Sequence, residues 1–230
     1  MNRILVCDDD KEIVEAISIY LEQEGYAVEK AYDGRQAIEM MKKTDIDLLI
    51  IDVMMPKLDG IHATLLIREF STVPILFLSA KTEDADKILG LNVGADDYIA
   101  KPFNPLELIA RVKSALRRFQ TLGGSSKNAE NGEYVLRGLR INDESKQVFI
   151  DDEEVRLTPM EYQILLLLMK NPGRVYSSEQ IYENIWREDA YGAENTVAVH
   201  IRHIREKIEI DPKDPRYLKV VWGVGYKLEK

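Results

Sequence analysis

Three runs of this chain, RILVC (3–7), DLLIID (47–52) and PILFL (74–78), are almost unbroken Ile, Leu and Val. A strand with one wet face alternates apolar and polar residues. A strand apolar at nearly every position has no side left for water, and belongs in a parallel sheet covered by helices above and below. The intervening sequence supplies those helices. Near 11–24, Ile13, Ile17, Tyr20 and Leu21 recur at i, i+4, i+7 and i+8 along one helical face. Further helical stretches lie near 34–43, 59–69, 83–93 and 104–119, with the short runs AVEKA (27–31) and DYIA (97–100) among them. Alternating strands and helices define an α/β fold, a doubly wound parallel sheet of five strands.

The pattern stops at TLGGSSKNAENGE (121–133), which is rich in Gly, Ser, Asn and charge and has no apolar period. This divides the chain into a first domain over 1–120, a linker over 121–132 and a second domain over 133–230. The second domain opens with three alternating segments, YVLRGLRIN (134–142), QVFID (147–151) and EEVRL (153–157). Helical stretches follow near 159–170, 178–187 and 195–209, and YLKVVWGVGYKLEK closes the chain as two β-prone runs around Gly223 and Gly225. Strands, three helices and a terminal hairpin, in that order, fit an α+β winged helix-turn-helix. The first of these helices carries its own boundaries in TPMEYQILLLLMKNPG: a Thr N-cap, Pro at the first helical position and Gly past the end.

Composition narrows the setting. No apolar run approaches the roughly 20 residues that span a bilayer, and MNRILVCDDD becomes acidic too early for a signal peptide. A cytoplasmic protein with no membrane partner is expected. The single cysteine, Cys7, cannot form an intramolecular disulfide and reads as a small core residue within ILVC. The net charge of −9 opposes nucleic-acid binding at first sight. It is also spread over both domains: residues 1–126 hold 15 Lys+Arg against 21 Asp+Glu and residues 127–230 hold 16 against 19, giving −6 and −3. DNA contact must therefore come from a local cationic face.

Ligands of open parallel sheets collect at the carboxyl ends of the strands, where strand order reverses. Here the first strand ends in Asp8 and Asp9 and the third in Asp52, so three carboxylates converge if both strands are central. Such a donor set suits a hard divalent cation, Mg2+ above all. The next two strands end in Ser79 and Lys101, adding a hydroxyl and an ammonium group at the same rim. Phosphoryl transfer needs this chemistry: a carboxylate nucleophile, and cations for the charge on the equatorial oxygens. Asp52 is then the nucleophile, Asp8 and Asp9 hold the metal, and Lys101 and Ser79 hold phosphoryl oxygens. A phosphatase of the haloacid-dehalogenase kind also uses an aspartyl nucleophile, but places a second acid two residues later, where this chain has Met54.

The segments RILVCDDD, LLIIDVMMPKLDG, LFLSA and GADDYIAKPF resemble the receiver domains of two-component response regulators over about the first 120 residues. The resemblance implies a CheY-like sheet of order 2-1-3-4-5 and a cis bond between Lys101 and Pro102. It also implies Asp52 as phosphoacceptor for a sensor histidine kinase, Mg2+ on Asp8, Asp9, Asp52 and the main-chain carbonyl of Met54, and Ser79, Tyr98 and Lys101 as signalling residues. No enzymatic activity is expected beyond self-phosphorylation and autodephosphorylation at Asp52. A homodimer is implied on the face of the fourth helix, fifth strand and fifth helix. Its pairs are Lys87 with Glu107, Asp97 with Arg111, and Asp96 with Arg118 or Lys113, around Ile88, Leu91 and Ala110.

In ENTVAVHIRHIREKIE, Val197, Ile201, Ile204 and Ile208 form one apolar stripe. Thr196, His200, His203 and Lys207 lie to one side of it, with Arg202 and Arg205 at the boundary, making a cationic, hydrogen-bonding face. LTPMEYQILLLL, NTVAVHIRHIREKI and GVGYKL resemble the OmpR/PhoB winged-helix family over roughly 130–230. The resemblance makes 195–209 the recognition helix for double-stranded promoter DNA and 219–228 the wing. It also makes the loop near 187–194 a contact for RNA polymerase. Many members carry an arginine in the wing where this chain has Trp222, so Trp222, Lys219 and Lys227 are the wing's candidate DNA contacts. VWGVGYKLEK, with GADDYIAKPFNPLELIARVK, is similar to the vancomycin-resistance regulator subgroup.

Overall fold

A computed structural model describes residues 1–80, 94–121, 132–186 and 193–230; the side chains of 80, 118–121, 193 and 194 are not among those described. The helix expected near 83–93 and most of the expected linker lie outside these residues. The chain divides into two compact units, Met1–Phe119 and Gln120–Lys230.

The first unit comprises β1 (Arg3–Cys7), α1 (Lys11–Gln23), β2 (Ala27–Ala31), α2 (Gly34–Lys43), β3 (Leu48–Asp52), α3 (Gly60–Arg68), β4 (Ile75–Ala80), β5 (Asp97–Lys101) and α4 (Pro105–Thr121). The strands pair in parallel in the order β2-β1-β3-β4-β5. Every residue of β3 is buried, and the reason is visible in the packing. Ile4, Val6, Leu48, Ile50, Leu76 and Leu78 face Val14, Ile17 and Leu21 of α1 and Leu108, Val112 and Leu116 of α4. The alternate residues Leu5, Cys7, Leu49, Ile51 and Phe77 face Ala37 of α2 and Ala63 and Ile67 of α3. Two apolar faces per strand account for the continuous apolar runs in the sequence.

Strand order reverses between β1 and β3, so the crevice at their carboxyl ends is the natural ligand position. The acidic residues around it sort into two kinds. Asp10, Asp33 and Asp59 are N-caps, accepting the main-chain N–H groups of Glu12, Gln36 and His62. Asp8, Asp9 and Asp52 cap none of α1, α2 and α3. The Lys101–Pro102 bond is cis.

α3 begins directly on the backbone of the β3 terminus. The Gly60 N–H donates to the Val53 carbonyl at 3.1 Å, and a Cβ at Gly60 would stand 2.1 Å from the carbonyl oxygen of Asp52. No side chain fits there without moving the strand end.

The second unit comprises an antiparallel sheet of β6 (Glu133–Leu136), β7 (Leu139–Asn142), β8 (Gln147–Ile150) and β9 (Glu153–Val155). Helices α5 (Pro159–Met169), α6 (Ser178–Trp186) and α7 (Ala193–Ile208) follow, then the hairpin β10 (Leu218–Val221) and β11 (Gly225–Leu228). The architecture is a winged helix. The segment expected over 134–142 is two strands, because Arg137 takes a positive φ of 56° and with Gly138 turns the chain back on itself. Leu139, Ile141, Ile164, Leu165, Leu168, Trp186, Val197, Ile201, Ile204, Leu218 and Leu228 share one core, with Trp186 stacked on Tyr182 at 4.6 Å between ring centroids. The N-terminus of α5 is a capping box: Thr158 accepts from the Glu161 N–H, and Glu161 accepts from the Thr158 N–H at 2.8 Å.

The Gly60 contact gives a test. Gly60→Ala is expected to destabilise the first unit by about 1–3 kcal/mol, the usual cost of overpacking, read as a lower urea midpoint at unchanged m-value. An unshifted midpoint would show that the strand end yields freely.

Candidate functional site

The carboxylates of Asp8, Asp9 and Asp52 each offer an oxygen within 4.8 Å of the others. Register brings them together: Cys7 pairs with Ile51 across β1 and β3, so the next residues, Asp8 and Asp52, emerge side by side. Asp8 and Asp52 are buried and Asp9 is exposed, which leaves the cluster open on one side. β4 and β5 then align Ser79 with Ala100 and Ala80 with Lys101. Lys101 Nζ reaches 2.7 Å from Asp8 and 3.2 Å from Asp52.

Charge in this pocket is costly. Burial pushes the Asp52 carboxyl above its ordinary range; Lys101 opposes the shift, the neighbouring Asp8 adds to it, and the Met54 N–H hydrogen bond offsets part. Burial also works against the Lys101 ammonium, but Asp8 and Asp52 outweigh it and hold this group charged beyond its usual range. All-oxygen donors around a carboxylate resisting ionisation fit a hard divalent cation, which would supply the missing positive charge. Cys7 lies beneath the cluster, and burial together with Asp33, Asp8, Asp52 and Asp9 keeps its thiol protonated. It is a core residue rather than a nucleophile.

Tyr98 is half-buried and packs against the cluster containing Cys7, Ile51, Val53 and Phe77. Ser79 is buried. The pairs expected across a dimer are engaged within this chain. Arg111 donates to Asp97 at 2.9 Å and to Glu107 at 3.2 Å. Asp96 is almost fully buried, accepting from Arg68 and from the Ile75 N–H, both at 2.8 Å. Lys113 pairs with Glu24. The Asp96 carboxylate fastens α3 to the start of β4. Leu106, Glu107 and Ala110 are exposed on α4. Lys87, Ile88, Leu91 and the Arg118 side chain lie outside the described residues.

The expected DNA face of α7 needs correction. Thr196 and His200 are 4% and 1% exposed, with the His200 ring 5.8 Å from that of Trp186. α7 packs on both α5 and α6, so its buried arc is wider than the Val and Ile stripe alone. Lys207 donates to the buried Glu161 at 2.6 Å, and His203 Nδ1 lies 3.8 Å from the same carboxylate. Arg205 is half-buried and donates to the Leu218 carbonyl, tying α7 to the hairpin. The outward stripe is Asn195, Ala198, Arg202 and Glu206, with Arg202 and Glu206 paired at 2.8 Å. Asn195 was not among the residues singled out from sequence; the i, i+3, i+7 and i+11 spacing from Asn195 to Glu206 was the available signal. Glu161 was missed likewise, and T-x-x-E ahead of an apolar run was its signature.

In the hairpin, Trp222 is 91% exposed at the turn. Lys219 stands directly across from Lys227, and Lys227 also pairs with Glu229 at 2.9 Å. Like charges facing one another across strands are unfavourable unless an anion joins them. The expected polymerase loop, 187–194, lies almost wholly outside the described residues. No helix among the described residues is long and apolar enough to cross a membrane.

A parallel sheet with an acidic crevice, followed by a winged helix, defines a signal-receiving transcription factor. Residues 4–113 match the response regulator receiver domain, and residues 152–228 match the C-terminal domain of transcriptional regulatory proteins. Regulatory protein VanRc of Enterococcus gallinarum is 46% identical over 228 residues, 99% of each chain. Regulatory protein VanR of Enterococcus faecium is 44% identical, across 100% of this chain and 99% of that one. The crystal structure of response regulator DrrB, a Thermotoga maritima OmpR/PhoB homologue, matches over the full length of both chains with 33% identity and a TM-score of 0.51. The chain belongs to the OmpR/PhoB-type two-component response regulators, which regulate transcription.

Two predictions arise from these geometries. The raised Asp52 pKa means that its contribution to stability is fully present in acid and is lost as pH rises through the folded-state value. Metal-free Asp52→Asn is therefore expected to melt a few degrees above wild type near neutral pH, with the gap narrowing as pH falls through the carboxylate range. A variant melting below wild type at pH 7 would contradict this. On DNA, Arg202→Met is expected to reduce the salt dependence of binding by about one unit in log–log slope. Lys207→Met should leave that slope alone and instead cost about 1–2 kcal/mol of stability, by stranding Glu161. Equal slope changes in the two variants would place Lys207 on phosphate.

Proposed function

We propose that this chain is the phosphorylation-controlled regulator of a two-component system, acting in the cytoplasm on promoter DNA. The observation that carries the proposal is the junction of Asp8, Asp9, Asp52 and Lys101 at the reversal of strand order. A sensor histidine kinase presents a phosphohistidine. An Asp52 carboxylate oxygen attacks phosphorus, the phosphorus–nitrogen bond breaks, and the imidazole leaves and takes up a proton. Lys101 receives a phosphoryl oxygen in exchange for part of its present hold on Asp8 and Asp52, and the Ser79 hydroxyl hydrogen-bonds another. Asp8, Asp9, Asp52 and the Met54 carbonyl would hold Mg2+, which supplies charge stabilisation to the transferring group. The chemistry proposed for the chain is self-phosphorylation and autodephosphorylation at Asp52; the position two residues later, where a haloacid-dehalogenase phosphatase places its second acid, is Met54.

Inward movement of Ser79 toward the new dianion opens room for the half-buried Tyr98 ring, coupling charge to surface shape. The dimer face then forms around Leu106 and Ala110 of α4, with Lys87, Ile88 and Leu91 from the preceding segment. Lys87–Glu107 and a partner exchange of the Asp97–Arg111 pair fix register. Dimerisation brings two recognition helices onto adjacent half-sites. Asn195 and Arg202 reach the major groove, the 187–194 loop meets RNA polymerase, and Trp222 with Lys219 and Lys227 brings an aromatic ring and two cations to the neighbouring backbone.

Beryllofluoride with Mg2+ mimics the phosphorylated state without a kinase. Wild-type protein is expected to shift from monomer to dimer in sedimentation, with promoter affinity rising at least about tenfold, while Asp52→Ala does neither. An unresponsive wild type, or an equally responsive mutant, sinks the proposal.

A further inference from the structure

The loop from Val53 to Asp59, which carries the Met54 carbonyl, contains one residue in a conformation its side chain disfavours. Lys57 has a φ of 70°, a left-handed geometry that glycine adopts freely and that costs a residue with a Cβ roughly 1 kcal/mol. What the lysine adds is its ammonium group. Lys57 Nζ donates to Asp33 Oδ2 at 2.9 Å; the lysine side chain is largely exposed, and the carboxylate is buried. The other oxygen of Asp33 caps α2 through the Gln36 N–H at 2.9 Å, and these two donors together outweigh burial and hold the Asp33 carboxyl below its usual range.

Asp33 is tied to the acidic cluster through its backbone as well. Its carbonyl accepts from the Cys7 thiol at 3.5 Å, and Cys7 Sγ lies 3.6 Å from Met55 Sδ. Cys7 immediately precedes Asp8, and Met55 immediately follows Met54. The next residue, Gly34, donates its N–H to the Leu58 carbonyl at 3.2 Å, an approach so close that a Cβ would stand 2.6 Å from that oxygen. The loop is thus fastened at two points beyond Met54: at Met55 to Cys7, which leads into Asp8, and at Lys57–Leu58 to Asp33 and Gly34 at the start of α2.

We propose that Asp33 and Lys57 are positioning residues: their ion pair clamps the 53–59 loop so that the Met54 carbonyl stays aimed at the Asp8, Asp9 and Asp52 cluster, which sets cation affinity and the lifetime of the phosphoryl group on Asp52. This rests on the reading of Asp52 as a Mg2+-assisted phosphoacceptor. It goes further in assigning a role to residues that touch neither the phosphoryl group nor the cation.

The test uses the full chain, three single variants and the double variant of Lys57→Gly with Asp33→Asn. Lys57→Gly removes the clamp while relieving the strained φ. Asp33→Asn keeps an N-cap while removing the charge, and Lys57→Arg keeps the pair. Mg2+ affinity is read from the rise in melting temperature with added Mg2+. Phosphoryl lifetime is followed after loading with phosphoramidate. Lys57→Gly is expected to melt at or above the wild-type temperature without Mg2+, yet to bind Mg2+ about two- to fivefold more weakly, the range an exposed ion pair supports, and to hold its phosphoryl group about twice as long. Asp33→Asn should match it in both readouts, the double variant should be no worse than either single one, and Lys57→Arg should behave as wild type. Wild-type values in Lys57→Gly, or single effects that add in the double variant, overturn the clamp. If wild type itself neither gains stability from Mg2+ nor takes up phosphoryl in an Asp52-dependent way, it is the phosphoacceptor reading that fails.

Discussion

The Lys101 ammonium group, 2.7 Å from Asp8 and 3.2 Å from Asp52, is the contact on which the first unit turns. Two buried carboxylates at adjacent strand ends repel each other in a medium that screens poorly, and a central cation makes the arrangement tolerable. The fold delivers that cation from the far edge of the sheet: β5 is the last strand in the order, and its register with β4 sets Lys101 one step beyond Ser79. Asp52 nevertheless remains a reluctant anion. A site short of positive charge is poised for a divalent ion, and, once that ion is present, for a phosphoryl group.

The second unit solves a related problem with the signs placed differently. Glu161 is buried at the start of α5, where it completes the capping box and takes Lys207 and His203 of α7 as neighbours. One carboxylate thereby fixes the core helix and the recognition helix together. Two residues before Lys207, Arg205 ties the same helix to the hairpin by donating to the Leu218 carbonyl. Cations that read as DNA contacts are in part internal fasteners, which is how an acidic unit can carry a basic-looking helix without presenting a broadly basic surface.

The sheet was legible because burial on both faces leaves a plain record: Leu48 to Ile51 can be nothing but interior strand, and the strand ends then name Asp8, Asp52 and Lys101. The three N-cap aspartates were harder to separate from the functional ones by type alone, and helix starts decide that. Legibility failed where a partner lies far along the chain. Nothing near Asp96 announces Arg68, and nothing near His200 announces Trp186 or the second helix that closes over Thr196. A helix packed on two neighbours buries an arc wider than its aliphatic stripe, so a polar residue beside the stripe reads as surface when it is core. The Arg137–Gly138 turn was hidden for another reason: left-handed backbone at an arginine has no compositional signature.

The contrast between Trp186 and Trp222 has an optical consequence. These are the chain's two tryptophans, both in the second unit, one wholly enclosed and stacked on Tyr182 and the other standing in water at the hairpin tip. Intrinsic tryptophan fluorescence of the whole chain is therefore the sum of a shielded, blue-emitting indole and a hydrated, red-emitting one. The first unit, where the phosphoryl chemistry takes place, contributes no indole emission. Any change in that spectrum when the receiver is modified reports an event that has already crossed from one unit to the other.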